Sequence, residues 1–174
     1  MKHIPKRTFN SFLFLSLLLW AVSLAGPVSA QGLDEDNGFM GLELGSERDS
    51  LLTTMVQKRG KFQKLMRWDM NEEHLNFDGI DLQFVRLFYW DNQLHSIEVK
   101  AMGEMGNLLR TWIMAMYGEG EKKDVMGYSY QWNGDKVLLL FDQNLVTKDL
   151  KLTFRSRDVH KQYYKFRYVQ KYGK

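Results

Sequence analysis

Residues 84–101 read FVRLFYWDNQLHSIEVKA and form the densest apolar segment after the first thirty residues of the chain. The pattern predicts two strands joined at Asp91-Asn92, because Asp and Asn accept turn geometry through local side-chain hydrogen bonds. Apolar residues occur on both faces of the first strand, which is typical of a central strand covered on both sides. The second strand alternates apolar and polar residues from Ser96 onward, which predicts one face in contact with water. We therefore expect this hairpin to form the core.

Residues 1–30 have the organisation of a secretory signal peptide. A basic start precedes an uncharged apolar run, and Val28-Ser29-Ala30 places small or β-branched residues where signal peptidase cleaves. The apolar run is shorter than the about 20 residues that a membrane-spanning helix needs; an uncleaved anchor is the alternative. We therefore predict cleavage near Ala30-Gln31 and a location in the periplasm or outside the cell.

The chain contains no cysteine, which excludes disulfides, a lipid-anchored cysteine and thiol chemistry. Because small secreted eukaryotic domains more often carry disulfides, this absence favours a bacterial envelope protein. Three of the 24 basic residues (Lys2, Lys6 and Arg7) lie in the predicted signal peptide and none of the 21 acidic residues does, which leaves 21 of each sign. A net charge of zero gives no indication of nucleic-acid binding.

The remaining patterns predict an α+β fold, built as two tandem helix-plus-antiparallel-sheet halves that form one domain. A first helix is expected from Ser46 to Gly60 and a second from about Glu104 or Asn107 to Tyr117, and Asn133-Gly134 predicts a later hairpin. The predicted division is a flexible segment at 31–38, a globular domain at 39–158 with halves of about 39–101 and 102–158, and a basic aromatic strand or tail at 159–174.

The order of these elements, with Gly-Leu-Glu-Leu-Gly-Ser at residues 41–46 before the first predicted helix, resembles a known group. These are the small α+β export-compartment domains of the β-lactamase-inhibitor-protein-like and outer-membrane-assembly small-lipoprotein type. The resemblance covers roughly residues 39–155 and implies a domain that binds other proteins and is not an enzyme. The chain lacks the lipobox cysteine of the lipoproteins and the disulfides of the secreted inhibitors, so no functional residue is carried over.

A search for reactive groups finds no catalytic or metal signature in the sequence. The histidines after residue 30 (His74, His95 and His160) lack the close spacing of a helical metal motif. There is no Gly-x-Ser-x-Gly sequence for a strained nucleophile turn and no glycine-rich phosphate loop. We therefore predict no enzymatic activity, no metal and no cofactor.

Two groups of aromatic residues are the candidate partner-binding sites. The first group would lie on strands and suits protein or ligand contacts if its face is open, but core if it is covered. The second group combines aromatic and basic residues, which bind an acidic protein or an anionic membrane surface, or form an edge strand. The signal peptide argues against nucleic acid as the partner. The first group is Trp90, Tyr128, Tyr130 and Trp132, and the second is Tyr164, Lys165, Phe166, Arg167 and Tyr168.

Three functional hypotheses remain open from the sequence. The first is an exported domain that binds another envelope protein as an adaptor or inhibitor, and it predicts an exposed aromatic sheet face. The second is a carrier of a small apolar or lipid-like ligand, and it predicts a large apolar pocket lined by Met and Trp. The third is an envelope hydrolase, and it predicts carboxylates or histidines of shifted pKa in a cleft. We rank them in this order; the sequence gives no indication of oligomeric state.

Overall fold

The computed structural model describes residues 28–47, 55–59, 65–123, 125 and 128–173. These residues form three α-helices, one 3₁₀ turn (Glu72–His74) and twelve strands, which confirms the α+β class. The helices are α1 (Val28–Asp36), α2 (Gly103–Tyr117) and α3 (Arg157–Tyr172). The strands are β1 (Gly38–Phe39), β2 (Leu42–Glu43), β3 (Met55–Arg59), β4 (Leu65–Met70), β5 (Asn76–Phe77), β6 (Ile80–Asp81), β7 (Phe84–Trp90), β8 (Gln93–Ala101), β9 (Glu121–Lys122), β10 (Tyr128–Asn133), β11 (Val137–Gln143) and β12 (Leu150–Ser156).

Eight of the strands form one antiparallel sheet in the order β3-β4-β7-β8-β12-β11-β10-β9. The two central strands are β8 and β12, which pair from Ala101 opposite Leu150 to Ser96 opposite Arg155. Strands that precede α2 therefore occupy one half of the sheet, and strands that follow α2 occupy the other. The pairs β1-β2 and β5-β6 are separate two-stranded sheets.

The hairpin predicted at residues 84–101 is confirmed as β7 and β8. Asp91 and Asn92 have φ angles of 48° and 69°, as a tight two-residue turn between twisted strands requires. The pairing register shifts between Phe88 and Tyr89, so that His95 is an extra residue on β8. Such a β-bulge re-aims the side chain that it carries.

One sheet face forms the core, beneath α1 and α2. Phe154 of β12 is fully buried and stacks on Phe39, with ring centroids 5.3 Å apart. Phe77 and Trp112 extend this cluster, with ring centroids 4.9 Å apart. Each buried side chain of this size stabilises the fold by about 1.5–3 kcal/mol, so this face supplies most of the driving force for folding.

The prediction of a flexible segment at residues 31–38 is wrong, because α1 and β1 occupy it. Leu33 is fully buried against the core. The Asp34 carboxylate accepts hydrogen bonds from the backbone N–H groups of residues 135–137, at the turn between β10 and β11. One apolar and one charged contact therefore fix this segment to the second half of the sheet.

The helix predicted at residues 46–60 is also corrected in part. Residues 55–59 form strand β3, which pairs antiparallel with β4, and residues 48–54 lie outside the described part of the chain. Val56 is β-branched and suits a strand, and β4 offers a row of backbone groups that a helix would leave unpaired. Pairing with the sheet has therefore overridden the local helical pattern here.

Residues 159–174 were predicted to be a strand or tail, and this prediction is wrong because α3 occupies them up to Tyr172. The Ser156 hydroxyl caps the helix by accepting from the N–H of Val159, at 3.3 Å. Asp158 in the first turn and Lys171 in the last turn complement the helix dipole. None of the described helices has the length and apolar character needed to cross a membrane.

Helix α2 approaches the loop before β12 so closely that only glycine fits at position 106. A Cβ atom on Gly106 would lie far inside contact distance of the Lys148 carbonyl oxygen and close to Leu150. We expect Gly106→Ala to lower the free energy of unfolding by about 1–2 kcal/mol, because overpacking outweighs the better helix propensity of alanine. Denaturant unfolding measures this change.

The matched control is Gly32→Ala in α1, where an added Cβ meets only ordinary contacts at 4.0 Å. We expect that variant to be neutral or more stable by up to about 1 kcal/mol. Equal destabilisation by the two substitutions would contradict the close approach of α2 to the loop.

Candidate functional site

The sheet face opposite α1 and α2, here called the outer face, carries a row of opposed side chains, all but one of them polar. Asp69 lies opposite Arg86, Arg86 opposite Glu98, and Glu98 opposite Thr153. Opposed residues on neighbouring strands point to the same face, so the row runs across six strands as one band. We call this band the charged row; it consists of Asp69, Arg86, Glu98, Thr153, Leu140 and Gln131.

Both acids of the charged row lie beside basic partners. Arg67 donates two hydrogen bonds to Asp69, at 2.7 and 2.6 Å, and this pairing raises the pKa of Arg67. Arg86 Nε lies 3.8 Å from the same carboxylate. Lys151 Nζ lies 3.1 Å from Glu98 Oε1. These pairs hold the side chains in register, although each half-exposed pair adds little to stability.

The outer face carries more basic than acidic groups. On the six central strands, β4, β7, β8, β12, β11 and β10, the register places five basic residues against three acidic residues there. They are Arg67, Arg86, Lys100, Lys151 and Arg155 against Asp69, Glu98 and Asp142. The Nε atoms of Arg86 and Arg155 are buried and find no hydrogen-bond acceptor in the described structure. Burial lowers the pKa of Arg155, and Glu98 opposes this shift. As whole residues Arg86 and Arg155 stay partly exposed on this face, and guanidinium groups in that setting suit the carboxylates of a partner.

The predicted aromatic strand residues lie mainly on the core side of the sheet. Trp132 is buried, and its Nε1–H donates to the Tyr117 carbonyl at 3.1 Å. Tyr130 packs edge-on against Phe141 beside it, with ring centroids 5.6 Å apart. Tyr128 and Tyr130 are half-buried. The expectation of an exposed aromatic sheet face is therefore wrong for this group.

Trp90 is separated from that group and lies beneath α3, on the outer face at one end of β7. Its ring contacts Tyr163 and Phe166, with centroids 5.1 and 4.8 Å away. Phe166 is therefore turned inward. The other predicted residues of this segment (Tyr164, Lys165, Arg167 and Tyr168) are exposed on α3.

A histidine pair joins α3 to the sheet beside Trp90. His95 Nε2 lies 3.0 Å from His160 Nδ1, and His95 Nδ1 lies 3.1 Å from Ser96 Oγ. The bulge on β8 directs His95 toward α3, and the ring of Tyr163 lies 5.2 Å from the His95 ring. Sequence reasoning missed this pair, because 65 residues separate its members and no local spacing signals it.

Both histidines favour the neutral form. Burial lowers the pKa of His95 to about 4, and the nearby His160 and Arg155 add to this shift. Burial and Arg155 also lower the pKa of His160. In a neutral pair one ring nitrogen donates and the other accepts, which is the arrangement that the short N–N distance requires. Among the described residues no three His, Asp or Glu side chains converge as a metal site.

Three grooves on the described surface are lined mainly by polar and tyrosine side chains, with Leu75, Leu82 and Leu150 as apolar exceptions. One, of about 630 Å³, follows α3 and is lined by residues that include His160, Tyr164 and Tyr168. Two others, of about 370 and 270 Å³, are lined by residues of 72–83 and by residues around the β11–β12 loop. Met and Trp, which the carrier hypothesis requires, do not line these three.

Comparisons with protein-family models, with curated proteins and with solved structures find no match to this chain. The resemblance to the inhibitor-like and small-lipoprotein group therefore stays a prediction. Function has to be argued from the chain's own residues, and above all from the outer face.

Proposed function

We propose that this chain is an exported, non-catalytic domain that binds an acidic surface of another envelope protein through its outer face. The observation that carries the proposal is the outer face, where five basic residues stand against three acidic residues and the Nε atoms of Arg86 and Arg155 find no hydrogen-bond acceptor among the described residues. Within the described part of the chain, the buried Nε of Arg155 has no hydrogen-bond acceptor, and that of Arg86 has only the Asp69 carboxylate at 3.8 Å. Their burial is a cost to the fold that a binding role of this face would explain.

Apolar residues beside the charged row support an interface. The register places Phe84, Phe88 and Leu138 on the same face as Leu140 of the row, and all four are partly buried. Arg86 lies over the Phe84 ring, 3.6 Å from its centroid. Arginine held against aromatic and aliphatic side chains is typical of the residues that dominate binding energy at protein interfaces. Complementary charge would fix the register of the partner and speed its association.

The same face offers little to the hydrolase hypothesis. Two of its three acids, Asp69 and Glu98, lie beside Arg67, Arg86 and Lys151, and the third, Asp142, accepts a hydrogen bond from the Ser129 hydroxyl at 3.1 Å. The perturbed histidines contact each other and support α3. We therefore infer that the chain is not an enzyme and uses no cofactor.

We also infer two tandem halves and removal of residues 1–30. The sheet order supports the halves, because the strands on each side of α2 stay together and the last strand of each, β8 or β12, lies at the centre. Strand β3 stands where the first half was predicted to have a helix, so the halves differ at their start. The signal-peptide pattern supports export.

The experiment is affinity capture from the envelope extract of the producing organism, with the double variant Lys100→Glu/Lys151→Glu. We expect the wild type to capture one stoichiometric protein with an acidic surface. The double variant should bind at least about tenfold more weakly, because two attractive charges become repulsive. Raising the salt concentration should weaken the wild-type complex as well.

The matched control is Lys122→Glu/Lys148→Glu, which makes the same change in net charge at exposed positions: Lys122 lies opposite Tyr130, whose side chain is on the core side, and Lys148 lies in the β11–β12 loop. We expect this control to bind as the wild type does. Capture that is indifferent to both variants, or a small molecule that co-purifies in place of a protein, would refute the proposal.

A further inference from the structure

We propose that the outward face of α3 docks on an anionic membrane surface. This inference concerns a different surface from the outer sheet face and does not depend on the acidic protein partner. It rests on the exposure, the charge and the shape of α3.

Helix α3 divides into a face that holds the sheet and a face that meets solvent. Val159, His160, Tyr163 and Phe166 point inward, and residues from 167 to 172 are all exposed. The last two turns of the helix therefore form an exposed ridge, and Tyr164, Tyr168 and Tyr172 line the groove that follows it.

Three tyrosines form a stripe along this ridge. Tyr164, Tyr168 and Tyr172 follow one another at intervals of four residues, and their exposed fractions are 64%, 59% and 59%. Together they leave roughly 350 Å² of ring surface in solvent. That is as large as the greatest apolar patch of an ordinary monomer, which is commonly functional. Four-residue spacing places the rings on one side over about 12 Å of helix.

Lysines flank the tyrosine stripe on both sides. Lys161 and Lys165 lie beside Tyr164 and Tyr168, and Lys171 packs its ammonium 5.0 Å from the Tyr172 ring. The sequence has no acid after Asp158, which already pairs with Lys161 at 3.1 Å. Each basic residue close to an anionic leaflet strengthens binding about fivefold.

A membrane surface explains this combination better than a protein groove. A helix that inserts into a protein groove presents Leu, Ile or Phe at its anchor positions. Tyrosine instead has an apolar ring and a polar tip, and it concentrates at the level of lipid headgroups, where lysine can extend its ammonium outward.

The test is sedimentation with vesicles, using the protein purified as its host processes it. Vesicles of phosphatidylcholine alone are compared with vesicles that contain about one third phosphatidylglycerol. We expect binding only to the anionic vesicles, and Lys165→Glu/Lys171→Glu should weaken it by at least about 25-fold. Tyr164→Ser/Tyr168→Ser/Tyr172→Ser, which keeps every charge, should also abolish detectable binding.

Two controls separate docking through α3 from general charge attraction. Lys122→Glu/Lys123→Glu makes the same change in net charge near β9 and should stay within about twofold of wild type. Because the chain has no cysteine, Val169→Cys takes a single polarity-sensitive dye on α3, and Val146→Cys takes one on the exposed β11–β12 loop. Only the dye at position 169 should report an apolar environment on anionic vesicles.

Several outcomes would overturn the proposal. They are equal binding to neutral vesicles, equal losses in the α3 and β9 variants, or a dye at position 169 that stays in water. If the α3 variants lose the captured acidic protein but not the vesicles, α3 is a protein contact instead. The outer-face proposal is tested by protein capture with Lys100→Glu/Lys151→Glu, and the α3 proposal is tested by vesicle sedimentation with the α3 variants. Either proposal can therefore fail without the other.

Discussion

We expect Asp34→Ala to lower the free energy of unfolding by about 2–3 kcal/mol. The Asp34 carboxylate accepts hydrogen bonds from three backbone N–H groups, those of Asp135, Lys136 and Val137. These hydrogen bonds join α1 to the turn between β10 and β11. A hydrogen bond to a charged group contributes about 1.5–3 kcal/mol. The total is smaller than three such bonds, because part of this site is exposed and water can replace the carboxylate. Denaturant unfolding at neutral pH measures the loss.

The pH dependence of this contact has a definite sign. Burial alone would raise the pKa of Asp34, but the three N–H donors and Lys136 lower it below the ordinary 3.8. The stabilisation is therefore present above the ordinary value and is lost as the pH falls through the lowered folded pKa.

The control for Asp34 is Glu35→Ala, an exposed neighbour on the same helix. It should change the free energy of unfolding by no more than about 0.5 kcal/mol. A loss of equal size in both variants would mean that net charge, and not the contact with the turn, stabilises α1.

The hydrogen-bond partners of the acids near the start of the described chain could not be predicted from composition. Asp34 and Asp36 lie in the segment 31–38, which was predicted to be flexible. Asp34 instead binds residues 135–137, and Asp36 accepts from the Tyr117 hydroxyl at 2.8 Å. Their partners lie about a hundred and about eighty residues away in sequence, so no local pattern could identify them.

Strong local sequence patterns correctly predicted the two hairpins, whereas the structure of the last segment depends on tertiary contacts. Residues 84–101 and Asn133-Gly134 combine alternation with a turn, and both hairpins are present. In the last segment, Tyr164, Phe166 and Tyr168 alternate as a strand would. The same segment also carries Tyr163 and Phe166 at helical spacing, and their contact with Trp90 favours the helix.

The outer face could be predicted only in part. Alternation at Ser96, Glu98 and Lys100 predicted a wet face on β8, and the register confirms which residues share it. The charged row itself joins one residue from each of six strands. Its existence depends on the pairing of β8 with β12, which brings Glu98 opposite Thr153 from the other half of the chain. No pattern within one strand carries that information.

We expect the protein to lose about 2 kcal/mol of unfolding free energy as the pH falls from 6.5 to about 4. In this window the unfolded chain binds a proton at His95 and the folded chain does not, so stability falls with pH and levels off below the folded pKa. The full lowering of the pKa of His95 corresponds to at most about 3 kcal/mol of unfolding free energy. The expected loss is smaller, because His160 is partly exposed and water can solvate the pair. His95 is faced by Arg155 of β12 and by Tyr163 and His160 of α3, and none of these groups supplies a negative charge at these pH values.

The measurement is urea unfolding at several pH values for the wild type, His95→Asn and His74→Asn. His95→Asn should remove one titrating group. The slope of the free energy of unfolding against pH should therefore decrease by up to about 1.4 kcal/mol per pH unit between pH 6.5 and 4. His74, which lies exposed beside Glu73, is the control and should leave the slope unchanged. A wild-type slope that persists in His95→Asn would show that other groups cause the acid sensitivity. If the slope vanishes in His95→Asn and the fluorescence of Trp90 shifts only in the wild type, the loss of stability lies at the contact between α3 and the sheet. The physical reason is that protonation of both histidines makes every ring nitrogen a donor, which ends the hydrogen bond between His95 and His160.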